Sequence, residues 1–92
     1  MQHNLMIGML AYVKEIKPVG DHQGVSFGLA VNVSKDKDEI LPFDVWDEQA
    51  EKLSTMSKGD LVSVEYTVRR KGEENLDIRL VASYVRRLRK AS

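Results

Sequence analysis

Apolar and polar residues alternate at every second position through most of the chain, which is the pattern of half-buried β-strands. The alternation covers residues 25–33, 40–46, 62–69 and 76–83. The residues that it predicts to face the core are Val25, Phe27, Leu29, Val31, Val33, Leu41, Phe43, Val45, Val62, Val64, Tyr66, Val68, Leu76, Ile78, Leu80 and Ala82. The opposite face of segment 25–33 carries only small or polar residues, which suits a surface that a flat ligand approaches. The pattern predicts an all-β protein.

The first predicted strand, residues 5–16, is apolar on both faces. Met6 and Leu10 lie on one side, and Ile7 and Met9 lie on the other. A strand with two apolar faces is usually covered on both of them. Two interpretations stay open: a second copy of the chain covers one face, giving a homodimer through this strand, or the strand is shared between the two halves of a barrel.

One segment breaks the alternation and predicts a helix of about three turns. Residues 47–53 contain helix formers with acids in the first turn, where the helix dipole favours negative charge. Asp47 is the expected N-cap, and Gly59 is the expected stop near the C-cap. Ala50, Leu53 and either Met56 or Thr55 would form a short apolar stripe. Turns are expected at 18–24, 34–39, 59–60 and 71–75, where Gly, Asn, Asp and Pro concentrate.

Three strands, a helix and two strands is the element order of the OB-fold. The sequence therefore predicts a five-stranded Greek-key barrel with one short helix between strands 3 and 4. A chain of 92 residues fits a single domain. The expected domain spans residues 1–85, and residues 86–92 are expected to form a basic C-terminal tail.

The formal net charge of zero conceals an uneven distribution of charge. Residues 34–60 carry four lysines against eight acids, whereas residues 61–92 carry eight basic residues against four acids. A neutral chain with a cationic C-terminal third remains compatible with a polyanionic ligand.

Several segments resemble the bacterial and phage family of single-stranded DNA-binding proteins. The closest is Lys-Gly-Asp-Leu-Val-Ser-Val-Glu at 58–65, which resembles the family's Lys-Gly-x-x-Val-x-Val-Glu before the fourth strand. Gly-Met-Leu at 8–10, Phe27 to Val31, the passage 45–53 and Thr-Val-Arg-Arg at 67–70 are also similar. In length the chain is nearer to short forms such as the primosomal replication protein, or a phage- or plasmid-encoded version. The resemblance implies an OB-fold that binds single-stranded DNA.

The chain also departs from the family pattern. The long basic hairpin between strands 2 and 3 is reduced to residues 34–39, and Tyr66 stands where the family has Gly. Trp46 alone corresponds to the family's stacking aromatics, and the C-terminal end is basic instead of acidic.

Nine residues are predicted to contact nucleic acid. Trp46 would stack a base, and the Lys and Arg residues would neutralise phosphates. The nine are Lys14, Lys17, Trp46, Arg69, Arg70, Lys71, Arg79, Arg86 and Arg87. Structural interpretations remain open for three of these groups. Trp46 could pack over the helix or the barrel end, and residues 69–71 could form a solvated turn balanced by Glu73 and Glu74. Residues 86–92 could be a solubilising or disordered end.

The sequence favours binding over catalysis. It has no cysteine and two histidines without metal-ligand spacing, and no Gly-rich phosphate loop opens a helix. We therefore expect no enzyme activity, no metal and no cofactor. No apolar run approaches the ~20 residues of a membrane span, so a cytoplasmic protein without a membrane partner is expected.

The predicted function is sequence-tolerant binding of single-stranded DNA in replication, recombination or the processing of mobile-element or phage DNA. RNA is an alternative ligand. Proteins distinguish RNA from DNA by the 2′-hydroxyl, and the sequence does not indicate whether a residue contacts that group. A protein-interaction module without a nucleic-acid ligand is the alternative function, since a fold alone does not fix function.

Overall fold

The computed structural model describes residues 4–34, 36–70 and 78–91. It contains six strands and one helix in the described residues. They are β1 (Asn4–Val13), β2 (Lys17–Val19), β3 (His22–Ser34), β4 (Lys37–Trp46), α1 (Asp47–Leu53), β5 (Leu61–Arg70) and β6 (Ile78–Arg89). The predicted order of five long strands with a helix after the third of them is confirmed.

The five long strands close into a ring. β1 pairs with β5 through its first half and with β3 through its second half. The β1–β3 pairing contains a bulge between Leu10 and Tyr12. β5 and β6 form an antiparallel hairpin, β6 joins β4 in parallel, and β4 returns to β3. Gly8 lets β1 cross close over β3, because a Cβ there would lie 2.6 Å from the Ala30 carbonyl oxygen. This closed sheet with its single helix is the OB-fold barrel.

Apolar side chains from every long strand and the helix fill the barrel. The Phe27 and Phe43 rings stack with centroids 5.3 Å apart, and Tyr66 meets Phe43 edge-on at 5.4 Å. The buried apolar residues are Leu10, Val25, Phe27, Leu29, Phe43, Val45, Ala50, Leu53, Val62, Val64, Ala82 and Val85. The alternation therefore identified the core-facing side of β3, β4 and the first part of β5.

Two residues predicted to face the core are exposed instead. Val68 is 52% exposed and Ile78 is 63% exposed. Both lie toward the turn of the β5–β6 hairpin, beyond the short stretch at Val81 and Ala82 where β6 meets β4. No described layer of the barrel covers that part of the hairpin. Apolar and polar residues still alternate along these strands there, but the apolar side chains are not buried. Leu76 and the side chain of Val33 lie outside the described residues.

Two segments predicted as turns contain strand. Within 18–24, β2 pairs with the start of β3 around Gly20, whose φ of 62° suits the tight turn. Within 34–39, β4 already begins at Lys37. The first strand is correspondingly shorter than predicted and ends at Val13. Short polar strands lack the apolar alternation by which a strand is recognised.

The helix is seven residues long, which is about two turns and not three. Trp46 occupies the N-cap position, whereas Asp47, the predicted N-cap, is the first helical residue with φ of 54°. Ser54 ends the helix, and Gly59 lies in the later turn that leads to β5. The apolar stripe is confirmed, since Ala50 and Leu53 are buried and Met56 packs against the core.

The segment predicted as a C-terminal tail continues β6 as far as Arg89. Arg86 lies opposite Ser63, Arg87 opposite Val62 and Arg89 opposite Leu61 on β5. Pairing with β5 extends this strand beyond the point where apolar alternation stops. No helix in the described part of the chain is long and apolar enough to span a membrane.

Candidate nucleic-acid interface

A groove of about 250 Å³ runs over the outer face of β3 and β4, between the segment after β1 and the start of β6. Four of the nine predicted binding residues line it: Lys14, Lys17, Trp46 and Arg79. Glu15, Gly24, Val25, Ser26 and Asp44 complete the lining. The fold therefore brings together one aromatic ring and three cations that are distant in sequence.

Trp46 lies on the outer face of the barrel, as the alternation of β4 predicts. Its six-membered ring rests on Gly24, its partner on β3: a Cβ at Gly24 would approach three ring carbons to 2.5–3.0 Å. The side chain is still 39% exposed. One side of the ring is thus held by the strand backbone, and the ring keeps open surface toward the groove.

Tyr12, on β1, repeats this arrangement at Gly28, four residues along β3. Its ring lies over Gly28, where a Cβ would come within 2.1 Å of Cε2. The half-buried ring therefore covers the outer face of β3. The signal was present in the sequence, because Gly24 and Gly28 lie on one face of a strand and leave room for two rings.

Two carboxylates, those of Glu15 and Asp44, line the groove together with its three cations. Asp44 accepts a hydrogen bond from the Ser26 hydroxyl at 2.9 Å, and the Arg79 Nη1 donates to its other oxygen at 3.3 Å. Its side chain is 28% exposed. Arg79 is therefore partly neutralised before any ligand arrives. The sequence pattern placed Asp44 on the outer face but assigned it no role.

The two lysines reach the groove through backbone pairing. The Lys14 N–H donates to the Ser26 carbonyl at 2.9 Å, which holds the segment after β1 against β3. Lys17 begins β2 and lies opposite Gly24, the residue beneath Trp46. Both side chains are exposed. Both ammonium groups therefore lie at the same wall of the groove.

Asp47 ties the β2–β3 hairpin to the start of the helix beside Trp46. Its carboxylate accepts from the Gln23 N–H at 3.2 Å and lies 3.0 Å from the His22 Nδ1. The hydrogen bond from Gln23 is the main cause that lowers the pKa of Asp47, and His22 adds to it. These contacts fix the position of the hairpin that carries Lys17.

The remaining predicted residues lie elsewhere or outside the description. Arg69 is exposed and lies directly opposite Arg79 on the β5–β6 hairpin, as expected from hairpin pairing. The side chain of Arg70 and all of Lys71 lie outside the described residues. Arg86 and Arg87 come seven and eight residues after Arg79 on β6, roughly 25 Å away in an extended strand.

Arg87 belongs to a second cluster, which we call the Asp60 cluster: Ser57, Asp60, Arg87 and Ala91. Asp60 is fully buried and accepts hydrogen bonds from the Ser57 N–H at 2.9 Å and the Ala91 N–H at 2.7 Å. The Arg87 Nη1 lies 3.8 Å from its carboxylate. The two backbone donors, Ser57 first, hold the pKa of Asp60 below its ordinary value.

No group of three or more potential metal-ligating side chains occurs within residues 4–34, 36–70 and 78–91. The groove presents an aromatic face, two exposed ammonium groups, a guanidinium and two carboxylates.

Several solved structures share the barrel fold of this chain. The chain is similar to the second single-stranded DNA-binding protein, SSBb, of Mycobacterium smegmatis, with 20% identity, 94% of this chain and 87% of that chain covered, and a TM-score of 0.73. It is similar to the mitochondrial single-stranded DNA-binding protein Rim1 of S. cerevisiae, with 15% identity, coverage of 98% and 96%, and a TM-score of 0.78.

A third neighbour is the dimeric N-terminal domain of the PriB protein of Thermoanaerobacter tencongensis, with 15% identity, coverage of 96% and 97%, and a TM-score of 0.75. No family profile and no curated protein matches the sequence. At these identities the likeness establishes the fold that the sequence resemblance implied, the OB-fold found in single-stranded DNA-binding proteins.

Proposed function

We propose that this protein binds single-stranded DNA along the groove, and that it acts by binding without catalysing a reaction. The observation that carries the proposal is the grouping of Trp46 with Lys14, Lys17 and Arg79 in one open groove. The shared fold of proteins named for single-stranded DNA binding supports it. Replication, recombination or phage and plasmid DNA processing in the cytoplasm is the expected setting.

Each part of the groove has a separate role in this mechanism. A base stacks on the open side of Trp46, a contact worth about 1–3 kcal/mol that every base can make. Lys14 and Lys17 pair with phosphates along the strand. Each phosphate contact releases counterions and adds ~0.7 to the magnitude of the slope of log affinity against log salt concentration. Arg69, Arg70, Lys71, Arg86 and Arg87 would extend the cationic path over a longer strand.

Titration with oligo(dT) at low salt, followed by addition of salt, tests the proposal. Trp46 is the sole tryptophan, so its fluorescence reports this groove alone. We expect quenching that salt reverses, together with a rise in the anisotropy of a labelled strand. An unchanged anisotropy at micromolar protein would contradict the proposal and favour a protein-interaction module. Repeating the titration with oligo(U) and oligo(dU) of equal length compares RNA with DNA.

A second proposal concerns assembly: the protein forms a homodimer through β1. Leu5, Ile7 and Met9 follow one another on the outer face of β1 and are 64%, 54% and 49% exposed. The same half of β1 pairs with β5 on one edge, and pairing with β3 begins only at Met9. An apolar row on a strand with an unpaired edge is a surface that a second strand can cover.

Sedimentation of wild type and Ile7→Glu tests the dimer. Because Ile7 is exposed in the protomer, the charge should leave the fold intact while disfavouring association. We expect the wild type to sediment as a dimer and the variant as a folded monomer with an unchanged circular dichroism spectrum. Wild-type protein that sediments as a monomer at tens of micromolar would contradict the proposal.

A further inference from the structure

Asp44 is placed unfavourably for a groove that serves only to hold phosphates. Its carboxylate lies on the same outer face of β4 as Trp46, two residues earlier, and it lines the groove with Lys14 and Lys17. A negative charge there repels a phosphate and occupies Arg79, which would otherwise bind one. The position suits a different partner, namely a hydrogen-bond donor on a base.

The geometry supports contact with the edge of a stacked base. Residues two apart on a strand project from the same face ~7 Å apart. A base on the open side of Trp46 would therefore direct one edge toward Asp44. A second depression of about 310 Å³, lined by Ser26, Asp44 and Arg79 among others, adjoins the groove. The Asp44–Arg79 pair is thus bordered by open space on both sides.

Asp44 is also held in a fixed orientation. The Ser26 hydroxyl donates to Oδ1 and the Arg79 guanidinium donates to Oδ2, at 2.9 and 3.3 Å. Each carboxylate oxygen keeps a further lone pair, and Arg79 keeps further N–H groups. The pair presents an acceptor beside a donor, with the Arg79 side chain 55% exposed and the Asp44 side chain 28% exposed.

We propose that Asp44 and Arg79 read the edge of the base stacked on Trp46 and favour cytosine over thymine. This proposal rests on the proposed binding of single strands. Cytosine offers its exocyclic amino group to the Asp44 carboxylate, a pairing used in duplex recognition, and its N3 and O2 accept from Arg79. Thymine has no amino group, and two carbonyl oxygens flank its single ring N–H and repel a carboxylate.

The test compares labelled oligo(dC) and oligo(dT) of equal length at pH 8 by anisotropy, with wild type, Asp44→Asn and Asp38→Asn. Asp38→Asn is the matched control, because it removes the same charge from the same outer face of β4 about 20 Å away. We expect wild type to bind oligo(dC) about fivefold more tightly, the low end for a specific base contact at an exposed site. Asp44→Asn should reduce that preference below twofold, and Asp38→Asn should keep it.

Each other outcome has a distinct meaning. Binding of both strands with equal affinity by wild type would overturn the cytosine preference and leave single-strand binding intact. Equal loss of preference in both variants would overturn the role of Asp44, because general charge would then explain it. Failure of wild type to bind either strand would overturn single-strand binding itself.

Discussion

The groove and the Asp60 cluster each contain an Arg–Asp pair, and the two pairs are used differently. In the groove, Arg79 and Asp44 are 3.3 Å apart and both remain accessible to solvent. In the cluster, Arg87 lies 3.8 Å from Asp60, whose side chain is only 1% exposed. The groove pair can exchange its contacts for those of a ligand, whereas the buried carboxylate of the cluster is already committed within the fold.

The two carboxylates differ in their hydrogen-bond donors, which are backbone N–H groups for Asp60 and side chains for Asp44. Asp60 accepts from the Ser57 N–H and the Ala91 N–H, so it joins the turn before β5 to the end of β6. Gly59 and Asp60 also bond through their backbone to Leu10 on β1. Asp44 accepts from side chains alone in the described structure. Side-chain partners can rotate away when a ligand binds, and backbone partners cannot do so without local unfolding.

The largest effect in this comparison is expected for Asp60→Asn. The carboxamide cannot accept from both backbone N–H groups as strongly, and its buried NH₂ would face donors. We expect Tm to fall by about 10 °C or more, while Asp44→Asn shifts Tm by at most ~3 °C. Thermal unfolding by circular dichroism measures both. Equal shifts for the two variants would remove the distinction between the pairs.

Protonation of the Asp60 carboxylate should lower the stability of the fold at acidic pH. The pKa of Asp60 is lower in the folded protein than its ordinary value of 3.8, so its contribution to stability is complete above that value. The contribution is lost as the pH falls through the lowered folded pKa. Wild type should therefore lose Tm steeply below pH 4, and Asp60→Asn should lose less. Parallel Tm curves for the two proteins would contradict this assignment.

On the groove side, Trp46→Ala should weaken single-strand binding about 5- to 150-fold, the equivalent of one lost stacking contact. Stability should change little, because the ring lies outside the core on Gly24. Tyr84→Ala is the matched control: Tyr84 is a similarly exposed aromatic, on β6, beneath the Lys52 ammonium at 3.9 Å. Anisotropy titrations that show equal losses for both variants would place the interface elsewhere.

Sequence patterning predicted the barrel well because burial imposes a period of two on each strand. It failed at Val68 and Ile78, where the strands continue but no other layer covers them. It also missed β2 and the end of β6, because pairing there depends on backbone hydrogen bonds and not on apolar faces. The OB-fold was predicted from the order of the strands and the helix. Errors in the boundaries of individual strands do not change that order.

The candidate site was predicted less completely. Lys14, Lys17, Trp46 and Arg79 were identified individually, but their grouping depends on register, which the sequence does not display. The contact of Arg87 with the buried Asp60 carboxylate, at 3.8 Å, also depends on register and was not predicted. Asp44 carried no sequence signal beyond its outward face, since its hydrogen bonds with Ser26 and Arg79 depend on how the neighbouring strands pair.

The salt dependence of binding distinguishes Lys17 in the groove from Arg86 near the end of β6. Lys17→Gln removes a charge from the groove, so the slope of log affinity against log salt should fall in magnitude by ~0.7. Arg86→Gln removes a charge from the distant part of β6, so its slope should fall by the same amount only with strands long enough to reach that part of β6. A smaller slope for Lys17→Gln alone would confine the interface to the groove. A reduction for Arg86→Gln alone would move the proposed interface to the end of β6.

The smallest effect is expected for Asp47→Asn, at the junction between the hairpin and the helix. Asn tolerates the positive φ of 54° and can still accept from the Gln23 N–H, so the substitution removes only the negative charge that strengthens this hydrogen bond and faces His22. Because the pair is exposed, we expect Tm to fall by at most ~2 °C at neutral pH. The pKa of Asp47 is lowered in the fold, so the wild-type advantage should hold above pH 4 and vanish as the pH falls through that lowered value. Asp21→Asn makes the same charge change in the same hairpin, and an equal shift for it would show that Asp47 does not hold the hairpin against the helix.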